Sequence, residues 1–345
     1  MRILVTGATG FVGLNIVQQL QEAGHEVVAL LRPGAKRHFL APFQVEERYA
    51  TFRDEAALQR AMHQVEAVIH TAGNTSCNWR DINALSEANV LSTRNILKAA
   101  RRKGVRRIIY TSTTSTIGSH HPTLRAADVQ TPLQGFRAKS PYAMTKLQAE
   151  NILLEASNQI ECIILNPAEV VGAWDHNLQW GRIIIALAAG QLPFIPPGTC
   201  TYSPAADVAK AHVNAITQGR NGQRYILGGE HLPIRRFIDI AAQSLEVSVS
   251  PRNRHPYFLQ CWQAQALNFL GRFLEVQAPI EPYRMRVFAG HHLFDDSLAR
   301  QELHYHARPI HEAINECIAW YREHDFLKFR ATESRHTHEK VSIHI

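Results

Sequence analysis

The chain has 345 residues, 45% of them hydrophobic and 19% charged, an ordinary globular composition for roughly two structural units at about 150 residues each. Its net charge is +7, but the cations lie in scattered clusters such as Arg101-Arg102-Lys103 and Arg106-Arg107, without the basic stripe or interleaved aromatics of a nucleic-acid binder. No apolar run approaches the ~18 residues of a membrane span, and the five cysteines lack metal or redox spacing; with no secretory h-region ahead of Gly7, a cytoplasmic protein with no metal is expected.

In chain order, Arg2–Thr6 reads as a buried strand. Val12, Ile16, Val17 and Leu20 then recur at helical spacing until Gly24, as in an amphipathic helix. Between them lies Gly7-Ala8-Thr9-Gly10-Phe11-Val12-Gly13. A glycine turn between a first strand and a first helix is suited to a dinucleotide diphosphate. Gly7 permits the tight turn, Gly10 the approach of backbone to the phosphates, and Gly13 close helix–strand packing, while the helix N-terminus offers free N–H groups. Thr9, Phe11 and Val12 belong to the same cradle.

Glu26–Leu31 is the next strand, followed by Arg32. NAD enzymes of this architecture place an acid there for the ribose 2′-hydroxyl. A guanidinium instead suits a 2′-phosphate, and Lys36 and Arg37 lie close by. NADP(H) is therefore expected over NAD(H). Ala67–His70 and Arg107–Thr111 are further strands, separated by a helical pattern from about Leu85 to Lys103. Ala72-Gly73, just after the former, are placed to line the nicotinamide side. Ser140-Pro141 opens a helix. In it Tyr142 and Lys146 stand four residues apart and so share a face. An ammonium there lowers the phenol's pKa and lets it act as a general acid or base on a carbonyl or alcohol. Cys162–Leu165 is another strand. The β–α alternation predicts an α/β fold of Rossmann type, a doubly wound parallel sheet with helices on both faces.

These motifs resemble the extended short-chain dehydrogenase/reductase family, the NAD-dependent epimerase/dehydratase superfamily. Thr6–Gly13 is similar to its TGxxGxxG, Tyr142–Lys146 to its YxxxK, Asn89–Asn95 to its NVxGT, and Asn166–Gly172 to its PxxVxG stretch. The resemblance covers about Met1 to Leu327 and is specific in the first 172 residues. It implies that a hydroxyl five residues before Gly118, Thr113, bonds the reacting oxygen, with Ser112 as the next candidate. It implies carboxamide contacts around Pro167 and Val170, adenine contacts at Thr51 and Phe52 where relatives often carry Asp, and a structural or proton-relay Asn89. Homodimers through the helices of Asn89 and Tyr142 are common in the family.

Arg32, Trp79 and the run Tyr225–Gly229 look like the dihydroflavonol-4-reductase-like branch, which implies reduction of a ketone or aldehyde with NADPH. A nucleotide-sugar epimerase and a non-catalytic NADP sensor are the alternatives. A dehydratase fits less well, because Thr114 and Ser115 stand where Asp-Glu is expected. Asn74, Ser76, Asn78, Trp79, Trp174 and Trp180 are candidate pocket walls, although aromatic residues in such a lobe are more often core. The expected organisation is a nucleotide-binding domain over residues 1–170 with a returning segment at about 205–227. Residues 171–204 and 228–330 form a smaller, partly interleaved substrate lobe, with more helix from about Pro251, and 331–345 a polar tail.

Overall fold

The computed structural model describes residues 1–119, 125–192, 194–249, 257–259, 261–262, 266 and 282–327. The apolar stretch Phe269–Leu274 and the polar tail 331–345 lie outside the described residues.

Seven strands form one sheet: β1 (Arg2–Thr6), β2 (Glu26–Leu31), β3 (Glu46–Tyr49), β4 (Ala67–His70), β5 (Arg107–Thr111), β6 (Glu161–Pro167) and β9 (Arg224–Leu227). Their spatial order is β3-β2-β1-β4-β5-β6-β9, and every pairing is parallel. The fold is the expected Rossmann type. Helices cover both faces, so the central strands are apolar on both sides. Ile3 and Val5 face one core, with Leu14, Val17 and Leu20 of α1 (Phe11–Glu22) and Val208 and Ala211 of α7 (Ala205–Ala215). Leu4 faces the other, with Leu58 of α2 (Glu55–Ala61), Ile96 of α4 (Ser92–Arg102) and Leu153 of α5 (Pro141–Glu155).

The first strands and the start of α5 lie where the sequence places them. Ser140 caps α5 by accepting from the Ala143 N–H at 3.3 Å, with proline at the first helical position. Two features differ from the sequence reading. β3 reads Glu-Glu-Arg-Tyr and has no apolar alternation. It is an edge strand, where charged side chains can face water and discourage further pairing. The helix read from Leu85 to Lys103 is a relay: α3 (Ile82–Leu85), a π-helical turn (Ser86–Leu91), then α4. The wide turn holds the buried Asn89.

A second sheet is built on β8 (Thr199–Pro204). β10 (Glu230–Pro233) pairs with it antiparallel, while β7 (Glu169–Val171) and β11 (His291–His292) pair parallel. Its core includes Trp180, Ile184 of α6 (Gly181–Ala188), Tyr202, Phe237 of α8 (Ile234–Leu245) and Ile314 and Tyr321 of α11 (Ile310–Glu323). The remaining described helices are α9 (Pro282–Phe288) and α10 (Ser297–Leu303).

Candidate active site

The strand order reverses between β1 and β4, and ligands of open α/β sheets bind outside the C-terminal strand ends at such a point. The glycine turn follows β1 there. Gly7 has φ +70°, and a Cβ on it would sit 2.7 Å from the Ala72 nitrogen after β4. A Cβ on Gly13 would lie 2.0 Å from the Gly7 carbonyl oxygen. Both positions therefore require glycine, and together they seat α1 against the ends of β1 and β4. Gly10 is the N-cap of α1, which has neither a side-chain cap nor an acid in its first turn. The first-turn N–H groups of Phe11 and Val12 are thus left for an anion, which suits a dinucleotide diphosphate. Thr9 is braced from outside the turn: its carbonyl accepts from His176 Nε2 at 2.9 Å, and the imidazole stacks on Phe39. Sequence reading missed His176, which no motif signals.

Arg32 is exposed at the end of β2, and among the described residues its guanidinium has no hydrogen-bond or ion-pair partner. Arg37, expected to help it, pairs with Glu47 at 2.6 Å. Phe52 is half-buried with its ring 6.0 Å from that of His70, whereas Thr51 is exposed.

Lys146 is 4% exposed. Its Nζ donates to the Thr111 carbonyl at 2.6 Å and lies 4.1 Å from the centroid of the Tyr110 ring. Burial pulls its pKa down to about 7, against the opposing pull of Glu150. Tyr142 is half-buried one turn earlier in α5. Gly73 passes close by, since a Cβ there would lie 2.9 Å from Asn89 Oδ1 and 3.9 Å from Lys146 Nζ. Asn89 ties the two segments together: it accepts from the Asn74 N–H at 2.8 Å and donates to the Asn74 carbonyl and Thr145 Oγ1, each at 3.0 Å. Pro167 ends β6, and Val170 lies in the neighbouring β7.

Thr113 caps a short 3-10 turn, Thr114–Thr116, its hydroxyl oxygen accepting from the Ser115 N–H at 3.1 Å. Ser112, the alternative, is turned inward and donates to Glu150. Glu150 is fully buried two turns past Tyr142 on α5. It also accepts from Thr116 Oγ1 and Asn166 Nδ2, both at 2.8 Å, and pairs with Arg224 of β9 at 3.0 Å. Asn166 donates in turn to the Thr113 carbonyl at 3.1 Å. This network fixes the backbone carrying Thr113. An acid four residues beyond Lys146 was its one visible signal.

Two buried histidines stay neutral in the same layer. His70 lies between Thr6 Oγ1 (2.7 Å) and Thr93 Oγ1 (3.1 Å), with its pKa lowered to about 3 by burial and by Lys146. His212 donates from Nδ1 to the Val208 carbonyl at 2.8 Å, so its Nε2 accepts from Thr111 Oγ1 at 2.8 Å. Burial lowers its pKa to about 4.

The expected pocket walls divide. Asn74 belongs to the loop beside Gly73, and its Oδ1 accepts from the Ser76 N–H. Asn78 caps the turn that carries Trp79, which is 52% exposed. Trp180 is not a wall: it is 4% exposed and packs on Tyr202 and Phe237 at 4.9 Å. Trp174 lies against Phe43 and Trp320 and donates to Gln18 of α1. Burying a large ring outweighs leaving it in an open cleft. Among the described residues no cluster of His, Cys, Asp or Glu is arranged to hold a metal, and no helix is long and apolar enough to cross a membrane.

Comparison with known proteins agrees with this geometry. A family model described as the NAD dependent epimerase/dehydratase family matches residues 3–228. "Sterol demethylase protein B" of Methylococcus capsulatus is 31% identical, over 94% of this chain and 99% of its own. A "putative dihydroflavonol 4-reductase" of Synechocystis sp. is 30% identical, over 94% and 95%. The crystal structure of gox2253 has a TM-score of 0.81 at 29% identity, covering 94% of this chain and 99% of that one.

Proposed function

The chain belongs to the NAD-dependent epimerase/dehydratase family, and from that premise we propose that it is a cytoplasmic, NADP(H)-dependent oxidoreductase that reduces a ketone or aldehyde. The observation that carries this reading is the buried Lys146 ammonium one helical turn from Tyr142, beside the glycine-cradled end of the sheet. The similarity to the protein named as a putative dihydroflavonol 4-reductase supports it.

The cofactor's diphosphate rests on the turn from Gly7 to Gly13. Arg32 takes the 2′-phosphate, a role for which its lack of any partner among the described residues leaves it available. Phe52 meets the adenine, while Ala72, Gly73, Pro167 and Val170 line the nicotinamide side. Bound NADPH supplies the hydride. Tyr142 gives its hydroxyl proton to the substrate oxygen, and Thr113 donates a hydrogen bond to the same atom. Lys146 favours the resulting phenolate electrostatically. Asn74 and Trp79 face the substrate.

The test is a panel of aldehydes and ketones, with NADPH absorbance and product followed together. The expected outcome is one NADPH consumed per alcohol formed. Isomer formation without net consumption would identify an epimerase, and cofactor binding with neither would identify a sensor.

A further inference from the structure

A cavity of about 370 Å³ lies beside the Thr113 loop, and among the described residues its lining includes Arg137, Arg286 and His292 but no Asp or Glu. Arg137 comes from the short turn just ahead of α5. Its Nη2 donates to the Thr114 carbonyl at 2.9 Å, and Nη1 stands 3.5 Å from His292 Nδ1. Its guanidinium also lies 5.4 Å from the centre of the Phe294 ring. Arg286 lies over the Phe136 ring at 5.0 Å.

None of these contacts is a full counter-charge. Among the described residues neither arginine forms an ion pair. Glu169, whose charge Arg137 feels, accepts instead from Trp180 Nε1 at 2.8 Å. Burial disfavours the charged form of Arg137. A cation drawn out of water is costly unless paired, and a carbonyl and a ring face offset only part of that cost. An arginine fork matches the planar oxygens of a carboxylate or the oxygens of a phosphoryl group, and a second arginine on the wall adds attraction without repelling such a ligand.

We propose that this cavity is a substrate subsite for an anionic group, a carboxylate or a phosphoryl, held by Arg137 and Arg286. The substrate is then a carbonyl compound with an acidic end, its carbonyl directed to Thr113 and Tyr142. That last step rests on the reductase reading; anion capture does not.

Calorimetric titration of the full chain, with and without NADP⁺, tests the subsite using three aldehydes of similar size: 4-carboxybenzaldehyde, 4-formylphenyl phosphate and methyl 4-formylbenzoate. At least one anionic probe is expected to bind about tenfold or more tighter than the ester, as one charge-assisted contact provides. The tighter of the two anions identifies the group. Arg137→Gln and Arg286→Gln should each reduce that preference severalfold. Among the described residues Arg286 makes no hydrogen bond to the Thr113 loop, so its variant serves if Arg137→Gln fails to fold. Equal binding of all three probes, binding of none, or a preference untouched in the folded variants overturns the proposal. In a parallel assay of the same three aldehydes with NADPH, the ester being reduced with no anion preference in the titration would sink the subsite and leave the reductase. Anion preference without turnover would do the reverse.

Discussion

Behind the C-terminal edge of the seven-stranded sheet the buried side chains are polar and bonded to one another: Lys146 to the Thr111 carbonyl, Glu150 to Asn166 and Arg224, His212 to Thr111. Behind the four-stranded sheet they are rings, with Trp180, Tyr202 and Phe237 in mutual contact. The first arrangement fixes where donors and acceptors point, since a buried polar group left unpaired costs about 1–3 kcal/mol. The second mainly fills volume, with Trp180 Nε1 also donating to Glu169. The proposed chemistry is therefore placed in the polar layer, while the aromatic layer packs the core of the second sheet.

The sharpest way to break this contrast is Tyr142→Phe. It should lower turnover about 10³-fold, within the range for losing a general acid, while NADPH affinity stays within about twofold; turnover near that of the unaltered protein would remove the acid from the account. In the other layer, Trp180→Ala should cost about 3–5 kcal/mol in denaturant unfolding with cofactor selectivity unchanged. A loss below about 1 kcal/mol would return Trp180 to the pocket. Arg32→Asp should weaken NADPH about 10–100-fold relative to NADH, the worth of charge-assisted bonds to a phosphate replaced by repulsion. An unchanged ratio in a binding titration would refute the 2′-phosphate role.

The smallest effect is in pH dependence. His212 has a folded pKa near 4, below the ordinary 6.5, so the unfolded chain takes up the proton first as pH falls. Its neutral form contributes stability above pH 6.5 that drains away as pH drops toward 4. His212→Gln should lower stability overall but make the loss between pH 6.5 and 5 smaller by about 1–2 kcal/mol. An unaltered slope would show that His212 is not neutral in the fold.

The polar half was also the more legible in sequence. Glycines at 7 and 13 are dictated by backbone that approaches too closely for any side chain, and Ser140-Pro141 announces the helix that carries Tyr142 and Lys146. Apolar runs marked the central strands because both of their faces are covered. β3 escaped because an edge strand needs no apolar alternation. The π-helical turn at Asn89 escaped because its apolar spacing is that of an ordinary helix. Trp174 and Trp180, expected as pocket walls, pack on other rings instead; a ring in a core and a ring on a pocket wall have the same local sequence. Arg137 and His292 meet across 155 positions of chain, a distance over which no short motif reports.

The most direct measurement is isotope transfer from NADPH carrying deuterium at both hydrogen positions of C4 of the nicotinamide. With an aldehyde substrate, the unaltered protein should deliver one deuterium to the carbonyl carbon per NADPH oxidised, and Tyr142→Phe should do so about 10³-fold more slowly. An alcohol formed without the label, or labelled as fast by the phenylalanine variant, would contradict the account.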